Sequence, residues 1–166
     1  MKKIAILTIA ASLVCGLSFA QYQPNPETWT KIKDTPDFSM YYNKTNAKYD
    51  PATDRATYWL LSAYTKDDSY IIYKQGTDYT NRKIIEYSEV YLYPGPMSSA
   101  KTLTATPGEK DIIPGTMGDI ASSTISEYVG RDEKHEEYQK EQNHKKQNEK
   151  NEETLKKGLS VLRGIF

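Results

Sequence analysis

The chain has 166 residues, and its 22 lysine and arginine residues balance 22 aspartate and glutamate residues. This balance excludes the basic surface with which nucleic-acid-binding proteins neutralise phosphates. Tyrosine is unusually frequent, with 14 residues, and it is typical of half-buried strands and of recognition surfaces. Composition therefore favours a strand-rich protein and excludes nucleic acid as a partner.

Residues 1–20 have the pattern of a secretory signal peptide. Two lysines precede an apolar run over residues 4–17, and Ser18 and Ala20 then place small residues at the −3 and −1 positions of a cleavage site. This pattern predicts cleavage between Ala20 and Gln21. The apolar run is also too short for a transmembrane helix, which needs about 20 residues. We therefore expect an exported mature chain, in the periplasm, at the cell surface or outside the cell, with no transmembrane helix.

The one cysteine, Cys15, lies within that segment. It raises the alternative of a lipoprotein, but the residue before a lipidated cysteine is normally very small and here it is Val14, so we favour soluble release. Removal of 20 of the 166 residues leaves 146 with no cysteine. These can form no intramolecular disulfide, and their length suits one domain plus a tail.

An extended leader is predicted at residues 21–27, followed by a globular domain at 28–130 that begins with strands. Alternating apolar and polar side chains, bounded by turn residues, predict strands at residues 29–33, 38–43, 55–65, 70–75 and 82–93, and a short one at 100–106. Short connections between consecutive strands favour an antiparallel meander. We therefore predict an antiparallel sheet of five or six strands.

Helical spacing begins at Thr116, which with Asp119 resembles a capping box. Apolar residues then recur every three or four positions, and Gly130 stands where a glycine commonly ends a helix. A helix this short is unstable alone in water, so it must pack on one face of the sheet, which gives an α+β fold. The side chains expected in that contact are Ile120, Ala121, Ile125 and Tyr128, with Met117 and Val129 beside them.

A charged tail follows the domain. Between residues 131 and 157 there are eight basic and eight acidic residues, and several acid-first pairs four positions apart, such as Glu136 and Lys140, support a helix. We expect residues 131–154 to form a solvated helix or a disordered linker that folding does not require. Residues 155–166 differ, because their apolar side chains share one helical face: Leu155, Leu159, Leu162 and Phe166.

Three uses remain open for the apolar face of residues 155–166. It could fold back onto the domain, insert shallowly at a membrane surface, or bind a partner helix. We rank partner binding or self-association first and fold-back second. The tail as a whole is electrically neutral, which argues against strong attraction to anionic lipid, although its last dozen residues are locally basic.

The order of several residues within the domain resembles that of a known family. These residues are Trp29, the pair Tyr41-Tyr42, the strand Ala56–Tyr64 around Trp59, the long strand Arg82–Tyr93, and Ile113-Pro114-Gly115-Thr116. In this order they resemble the surface-adhesin E-like proteins of bacterial envelopes, over about residues 28–130. The resemblance implies an antiparallel sheet with a packed helix, and the binding of a host ligand. In that family a disulfide often pins the end of the helix, whereas this chain closes its helix with Val129-Gly130.

The sequence offers no set of catalytic residues. His135 and His144 both lie in the tail and do not share a helical face well, so we interpret them as solvated side chains and expect no metal site. Within the domain no Ser/His/Asp set can be assembled. Glu86 and Glu89 would point to opposite faces of a strand, and the Asp67-Asp68 pair looks like a turn, whereas acid–base chemistry needs carboxylates that converge. We therefore expect a protein that is not an enzyme and holds no cofactor.

The remaining functional signal lies in the aromatic strands. Tyr87, Tyr91 and Tyr93 share one face of a predicted strand and are the candidate binding residues, because an aromatic face can receive a partner protein or a flat ligand. For Trp29 and Trp59 we prefer packing in the core under the helix. The expected function is that of an exported, non-enzymatic binding protein of the bacterial envelope or exterior, adhesin-like in character. The alternative is a periplasmic structural or assembly factor that docks a partner through residues 155–166.

Overall fold

The computed structural model describes residues 23–95 and 98–163, with side chains up to Leu159. The predicted signal peptide, the cleavage point at Ala20 and Gln21, and the side chains of Leu162 and Phe166 lie outside the described residues.

The described residues form one antiparallel sheet and two helices. In chain order these are β1 (Trp29–Asp34), β2 (Phe38–Asn43), β3 (Lys48–Asp50), β4 (Arg55–Tyr64), β5 (Tyr70–Asp78), β6 (Lys83–Tyr93), β7 (Lys101–Thr104), β8 (Gly108–Asp111), α1 (Met117–Val129) and α2 (Arg131–Arg163). The strand order β1-β2-β4-β5-β6-β7 follows the chain, as in a meander, and short connections join β1 to β2, β4 to β5 and β5 to β6. The predicted α+β class is confirmed.

Two short strands, β3 and β8, were not predicted from the sequence. They have three and four residues, and so few residues give no readable alternation. β2 and β3 lie along the same edge of β4, and β7 and β8 lie along the same edge of β6. The break between β2 and β3 is a turn in which the Asn43 side-chain oxygen accepts hydrogen bonds from the backbone N–H groups of Thr45 and Asn46.

In the described part of the leader, residues 23–25 have no regular secondary structure and residues 26–28 form a turn. The carbonyl of Asn25 accepts hydrogen bonds from the N–H groups of Thr28 and Trp29. Lys44 adds a third contact, because its Nζ donates to the carbonyl of Pro26 at 3.1 Å. Residues 25–29 are thus tied to the domain where β1 begins.

Helix α1 has the predicted caps. Thr116 Oγ1 accepts a hydrogen bond from the N–H of Asp119, and the Asp119 carboxylate accepts one from the N–H of Gly115. Gly130 has φ 64° and ψ 43°, a left-handed conformation that glycine adopts at no steric cost. The next residue, Arg131, begins α2, so the two helices meet at this glycine.

The core lies between α1 and one face of the sheet. It contains Met40, Tyr42, Ala56, Tyr58, Leu60, Ala121, Ile125 and Val129. Ile125 and Ala121 are buried as predicted, and Ile120 is half-buried. Tyr128, predicted to be buried, is 46 % exposed, because its ring leans on Tyr42 while its hydroxyl donates to the carbonyl of Lys44 at 2.8 Å. Val129 is buried in its place.

Helix α2 shows that the charged tail is helical from Arg131 to Arg163. Its first turns carry the half-buried side chains His135, Tyr138 and Gln142, whereas every side chain from 143 to 159 is exposed. Three of the predicted ion pairs form within 4 Å along it: Glu136–Lys140, Glu152–Lys156 and Glu153–Lys157. Past Gln142, the described part of α2 therefore projects from the domain into solvent.

Candidate functional site

The face of the sheet opposite α1 carries a row of aromatic side chains, which we call the open face. Its aromatic residues are Trp29, Tyr41, Trp59, Tyr70, Tyr87, Tyr91 and Tyr93. The buried cluster at its centre consists of Tyr41, Leu61, Ala63 and Tyr70, with Trp29, Ile72 and Tyr93 packed against it. All of these are strand residues, so neither described helix contributes to this cluster.

The three predicted tyrosines lie on this face together. Tyr91 and Tyr93 pair with Ile72 and Tyr70 across the β5–β6 ladder. The rings of Tyr93 and Tyr70 stack with centroids 4.4 Å apart and an interplanar angle of 7°, and the ring of Tyr91 lies 5.9 Å from that of Trp59. These contacts hold the rings in fixed positions, so little side-chain entropy remains to be lost when a partner binds.

A bulge in β6 places a charged pair beside these rings. Three β6 residues, 87–89, stand opposite the single residue Lys74. β6 therefore has two extra residues at the bulge. Because side chains alternate between the two faces of a strand, an even number of extra residues leaves Tyr87 on the same face as Tyr91. Lys74 Nζ lies 4.8 Å from the centre of the Tyr87 ring and 3.1 Å from the Glu89 carboxylate. The open face thus combines aromatic rings with one cation and one anion that can rearrange towards a partner.

Gly76 allows the Tyr87 ring to lie close to the sheet. A Cβ at this position would be 3.0 Å from the carbonyl oxygen of Ala56 and 3.4 Å from both the Ile85 Cβ and the Tyr87 ring. Any side chain here would therefore press on both the neighbouring strand and the ring. The glycine is required by this close approach rather than by its backbone angles.

The expectation that Trp29 and Trp59 fill the core under the helix is wrong. Trp59 pairs with Lys74 and contacts Tyr91, and Trp29 packs against the open-face cluster. The position under α1 is taken by Tyr58, which has no exposed surface. Alternation in the sequence separated the two faces of β4 correctly, but it did not indicate which face receives the helix.

A buried ion pair joins the first turn of α2 to the domain, and the sequence did not predict it. Arg131 binds Asp54 through two hydrogen bonds, Nε to Oδ1 at 2.9 Å and Nη2 to Oδ2 at 2.6 Å. The Asp54 carboxylate also accepts from the hydroxyls of Tyr49 at 2.9 Å and Thr80 at 3.0 Å. The guanidinium lies over the Tyr79 ring, 5.1 Å from its centre. The tail therefore does not begin outside the domain at residue 131.

Electrostatics at Asp54 follow from this geometry. Burial alone would raise the pKa of its carboxyl, but the hydrogen bonds from Arg131, Tyr49 and Thr80 outweigh burial and lower it. At Tyr49, burial and the hydrogen bond to Asp54 raise the pKa to about 12. Asp54 is thus held as a carboxylate and Tyr49 as a neutral donor, an arrangement suited to a structural contact.

The other predicted candidates for chemistry do not converge. Glu86 pairs with Lys110 at 2.7 Å on the α1 side, and Glu89 pairs with Lys74 on the open face, so the two carboxylates lie on opposite faces as expected. The carboxylate of Asp67 accepts a hydrogen bond from the N–H of Ser69 in a turn. Within residues 23–95 and 98–163, no group of three or more potential ligands could hold a metal ion.

A groove of about 480 Å³ runs between α1 and the β5–β6 turn. Tyr79, Arg82 and Ser122 contribute to its lining, together with the carboxylates of Asp119 and Glu127. The Ser122 hydroxyl lies 3.0 Å from that of Thr77, so the two hydroxyls form a buried hydrogen bond.

On α2, the first two leucines of the predicted apolar face are exposed. Leu155 is 66 % and Leu159 is 61 % exposed, so fold-back onto the domain does not occur at these two positions. No helix in the part of the chain that is described is both long enough and apolar enough to cross a membrane.

Comparison of the chain with protein-family models, with curated proteins and with solved structures finds no match.

Proposed function

We propose that this chain is an exported, non-enzymatic binding protein of the bacterial envelope or exterior, adhesin-like in character, which recognises a partner protein through the open face. The observation that carries the proposal is the asymmetry of the sheet. One face is covered by α1, while the opposite face presents ordered aromatic rings and no described helix over its central cluster.

The chemistry of the open face suits protein recognition. Tyrosine and tryptophan are enriched at protein interfaces, because each offers a large apolar area and a polar tip at a low cost in side-chain entropy. Tyr87, Tyr91 and Tyr93 are half-buried, so each ring is supported by the sheet and still has surface to offer. Lys74 and Glu89 add a polar pair next to these rings.

Two further arguments support the proposal. Residues 1–20 have the pattern of a signal peptide, which supports export of the mature chain to where envelope partners or host surfaces are found. The carboxylates considered for catalysis are engaged in ion pairs or turns, and they do not face each other across a cleft.

The test is affinity capture with the mature chain from a fraction that holds envelope proteins, followed by binding of the purified candidate. Tyr87→Ala and Tyr91→Ala should each weaken binding at least tenfold, since each removes a ring that the partner would bury. Tyr138→Ala, on α2, is the matched control and should leave binding unchanged. A partner that binds all of these variants equally well, or no retained protein at all, would refute the role of the open face.

A second candidate function, that of a periplasmic structural or assembly factor, is favoured by the exposure of Leu155 and Leu159. It uses a different surface from the open face. An open-face variant that binds its partner normally, together with a Leu159→Glu variant that does not, would favour this second function.

A further inference from the structure

A pocket lies beside the bulge in β6, where the outer edge of that strand passes from one partner strand to the next. β8 pairs with residues 83–86 of β6, and β7 pairs with residues 89–92. Residues 105–107 connect β7 to β8 across this place, and Pro107 has no backbone N–H with which to extend either ladder. The interruption of both ladders leaves space between β6 and this connection, and bulges are often found beside functional sites.

The pocket has the size of one aromatic ring. Its volume is about 160 Å³, and its apolar lining includes Tyr73, Val90 and Ala105. Tyr73 packs against the core cluster under α1 and pairs with Val90 in the β5–β6 ladder, so both side chains lie on the α1 side of the sheet. An apolar cavity of about 150 Å³ holds one benzene molecule. The pocket therefore has room for a single six-membered ring.

Gln75 offers a hydrogen-bond acceptor at this pocket. It lines the pocket and is only 8 % exposed. Among the described residues, its carboxamide makes one hydrogen bond, which Nε2 donates to the Tyr58 hydroxyl at 3.0 Å. The side-chain oxygen Oε1 is thus available to a donor, and polar atoms in buried side chains are normally paired. A ligand that carries one donor would complete the hydrogen bonding of this carboxamide.

The charged side chains of the pocket are already compensated. Glu86 and Lys74 line it, and each belongs to an ion pair, Glu86 with Lys110 at 2.7 Å and Lys74 with Glu89 at 3.1 Å. A charged ligand would give up its hydration here without gaining an unpaired opposite charge. A neutral donor therefore fits the pocket better than an ammonium or a carboxylate does.

We propose that this pocket binds a neutral phenol, with the ring against Tyr73, Val90 and Ala105 and the hydroxyl donating to Gln75 Oε1. The same chemistry is offered by the side chain of a tyrosine in a partner protein and by a free phenolic compound. The proposal goes beyond the proposed function, because it does not depend on a partner protein at the open face.

The experiment is a titration of the isotope-labelled mature chain with p-cresol, the side chain of tyrosine without its backbone, followed by NMR. The backbone amide signals of Gln75, Glu86 and Val90 should shift and should saturate at millimolar concentrations, as expected for a ligand of so few atoms. Toluene is the same ring without the hydroxyl. It should bind about tenfold more weakly, because it leaves the Gln75 oxygen unpaired.

A variant that fills the pocket tests the location. Ala105→Phe should weaken p-cresol binding at least tenfold, because the new ring occupies the space of the ligand. Ala52→Phe is the matched control, since it makes the same change at an exposed turn position and should leave binding unchanged. The comparison with toluene uses the unchanged protein, so it remains decisive even if Ala105→Phe fails to fold.

The source of the phenol is distinguished by N-acetyltyrosinamide. Binding as tight as that of p-cresol would assign the pocket to a tyrosine of a partner protein, and much weaker binding would assign it to a free phenol. The proposal is overturned if p-cresol does not shift the three amide signals, if toluene binds as tightly as p-cresol, or if folded Ala105→Phe binds p-cresol undiminished.

Discussion

Replacing Arg131 tests the ion pair that joins α2 to the domain. Arg131→Met keeps the aliphatic part of the side chain and removes the charge, which leaves Asp54 as a carboxylate whose side chain is only 5 % exposed. Loss of one partner of a buried pair costs about 3–5 kcal/mol. Tyr49 and Thr80 would still donate to the carboxylate, and the Arg131 side chain is 26 % exposed, so water can enter. We therefore expect the lower end of that range, a fall of about 10 °C in melting temperature.

The pH dependence separates charge from packing. In the unchanged protein the pKa of Asp54 is lowered, so its contribution to stability is present above about pH 4 and is lost as the pH falls through the folded-state pKa. In Arg131→Met the buried carboxylate lacks its cation, so its pKa should lie above the unfolded value. The difference in unfolding free energy between the two proteins should therefore be largest near pH 7 and should shrink as the medium becomes acidic.

Thermal and urea unfolding across this pH range measure that difference. Lys145→Met, on the exposed part of α2, is the control and should be neutral. Adding Asp54→Asn to Arg131→Met should restore part of the lost stability, since no buried charge then remains. A deficit that does not vary with pH, or a double variant less stable than Arg131→Met alone, would show that the reasoning about charge is wrong.

Truncating the chain on either side of this contact also tests whether the Arg131–Asp54 ion pair stabilises the fold. A protein that ends at Gly130 lacks Arg131 and should melt at a clearly lower temperature than the mature chain, contrary to the expectation from sequence that the tail is dispensable for folding. A protein that ends at Gln142 keeps the ion pair and should melt as the mature chain does. Equal melting of all three proteins would show that the ion pair contributes nothing.

Further predictions concern the core, the open face and processing. Ile125→Ala, at a fully buried position, should lower the free energy of unfolding by about 2–5 kcal/mol, measured by urea denaturation. Gly76→Ala should cost about 1–3 kcal/mol in the same assay, because its Cβ would approach the carbonyl of Ala56 to 3.0 Å; an unchanged midpoint would show that β5 shifts freely. N-terminal sequencing of exported protein should begin at Gln21, whereas a lipid-modified Cys15 would contradict soluble release.

The sequence predicted the longer elements well, because each has enough residues to display its period. The five long strands alternate over five or more residues, and α1 shows both a cap and an apolar stripe. Boundaries were less accurate: β5 continues to Asp78, three residues past its predicted end, since its last residues are polar but buried. Thr77 and Asp78 are buried because they bond to Ser122 and Arg55, contacts that no local pattern reveals.

The candidate site was predictable only in part. The prediction that Tyr87, Tyr91 and Tyr93 share one face rested only on the alternation of side chains along a strand. It is correct despite the bulge in β6, because the bulge inserts two residues rather than one. A single inserted residue would have moved Tyr91 to the face opposite Tyr87. The contact between Asp54 and Arg131 joins residues 77 positions apart, and its two ends lie in a turn and at the start of a charged tail. Each reads in sequence as an ordinary surface charge.

The ion pair also bears on how the end of α1 is held without a disulfide. The sequence has no cysteine other than Cys15. The helix end is held by two polar contacts. The Tyr128 hydroxyl donates to the carbonyl of Lys44, and the guanidinium of Arg131, one residue past Gly130, donates two hydrogen bonds to the Asp54 carboxylate. Both contacts are polar and local to the helix end. A disulfide would release the helix on reduction, whereas this arrangement is insensitive to redox conditions and should loosen only in acid, where the Asp54 carboxylate becomes protonated.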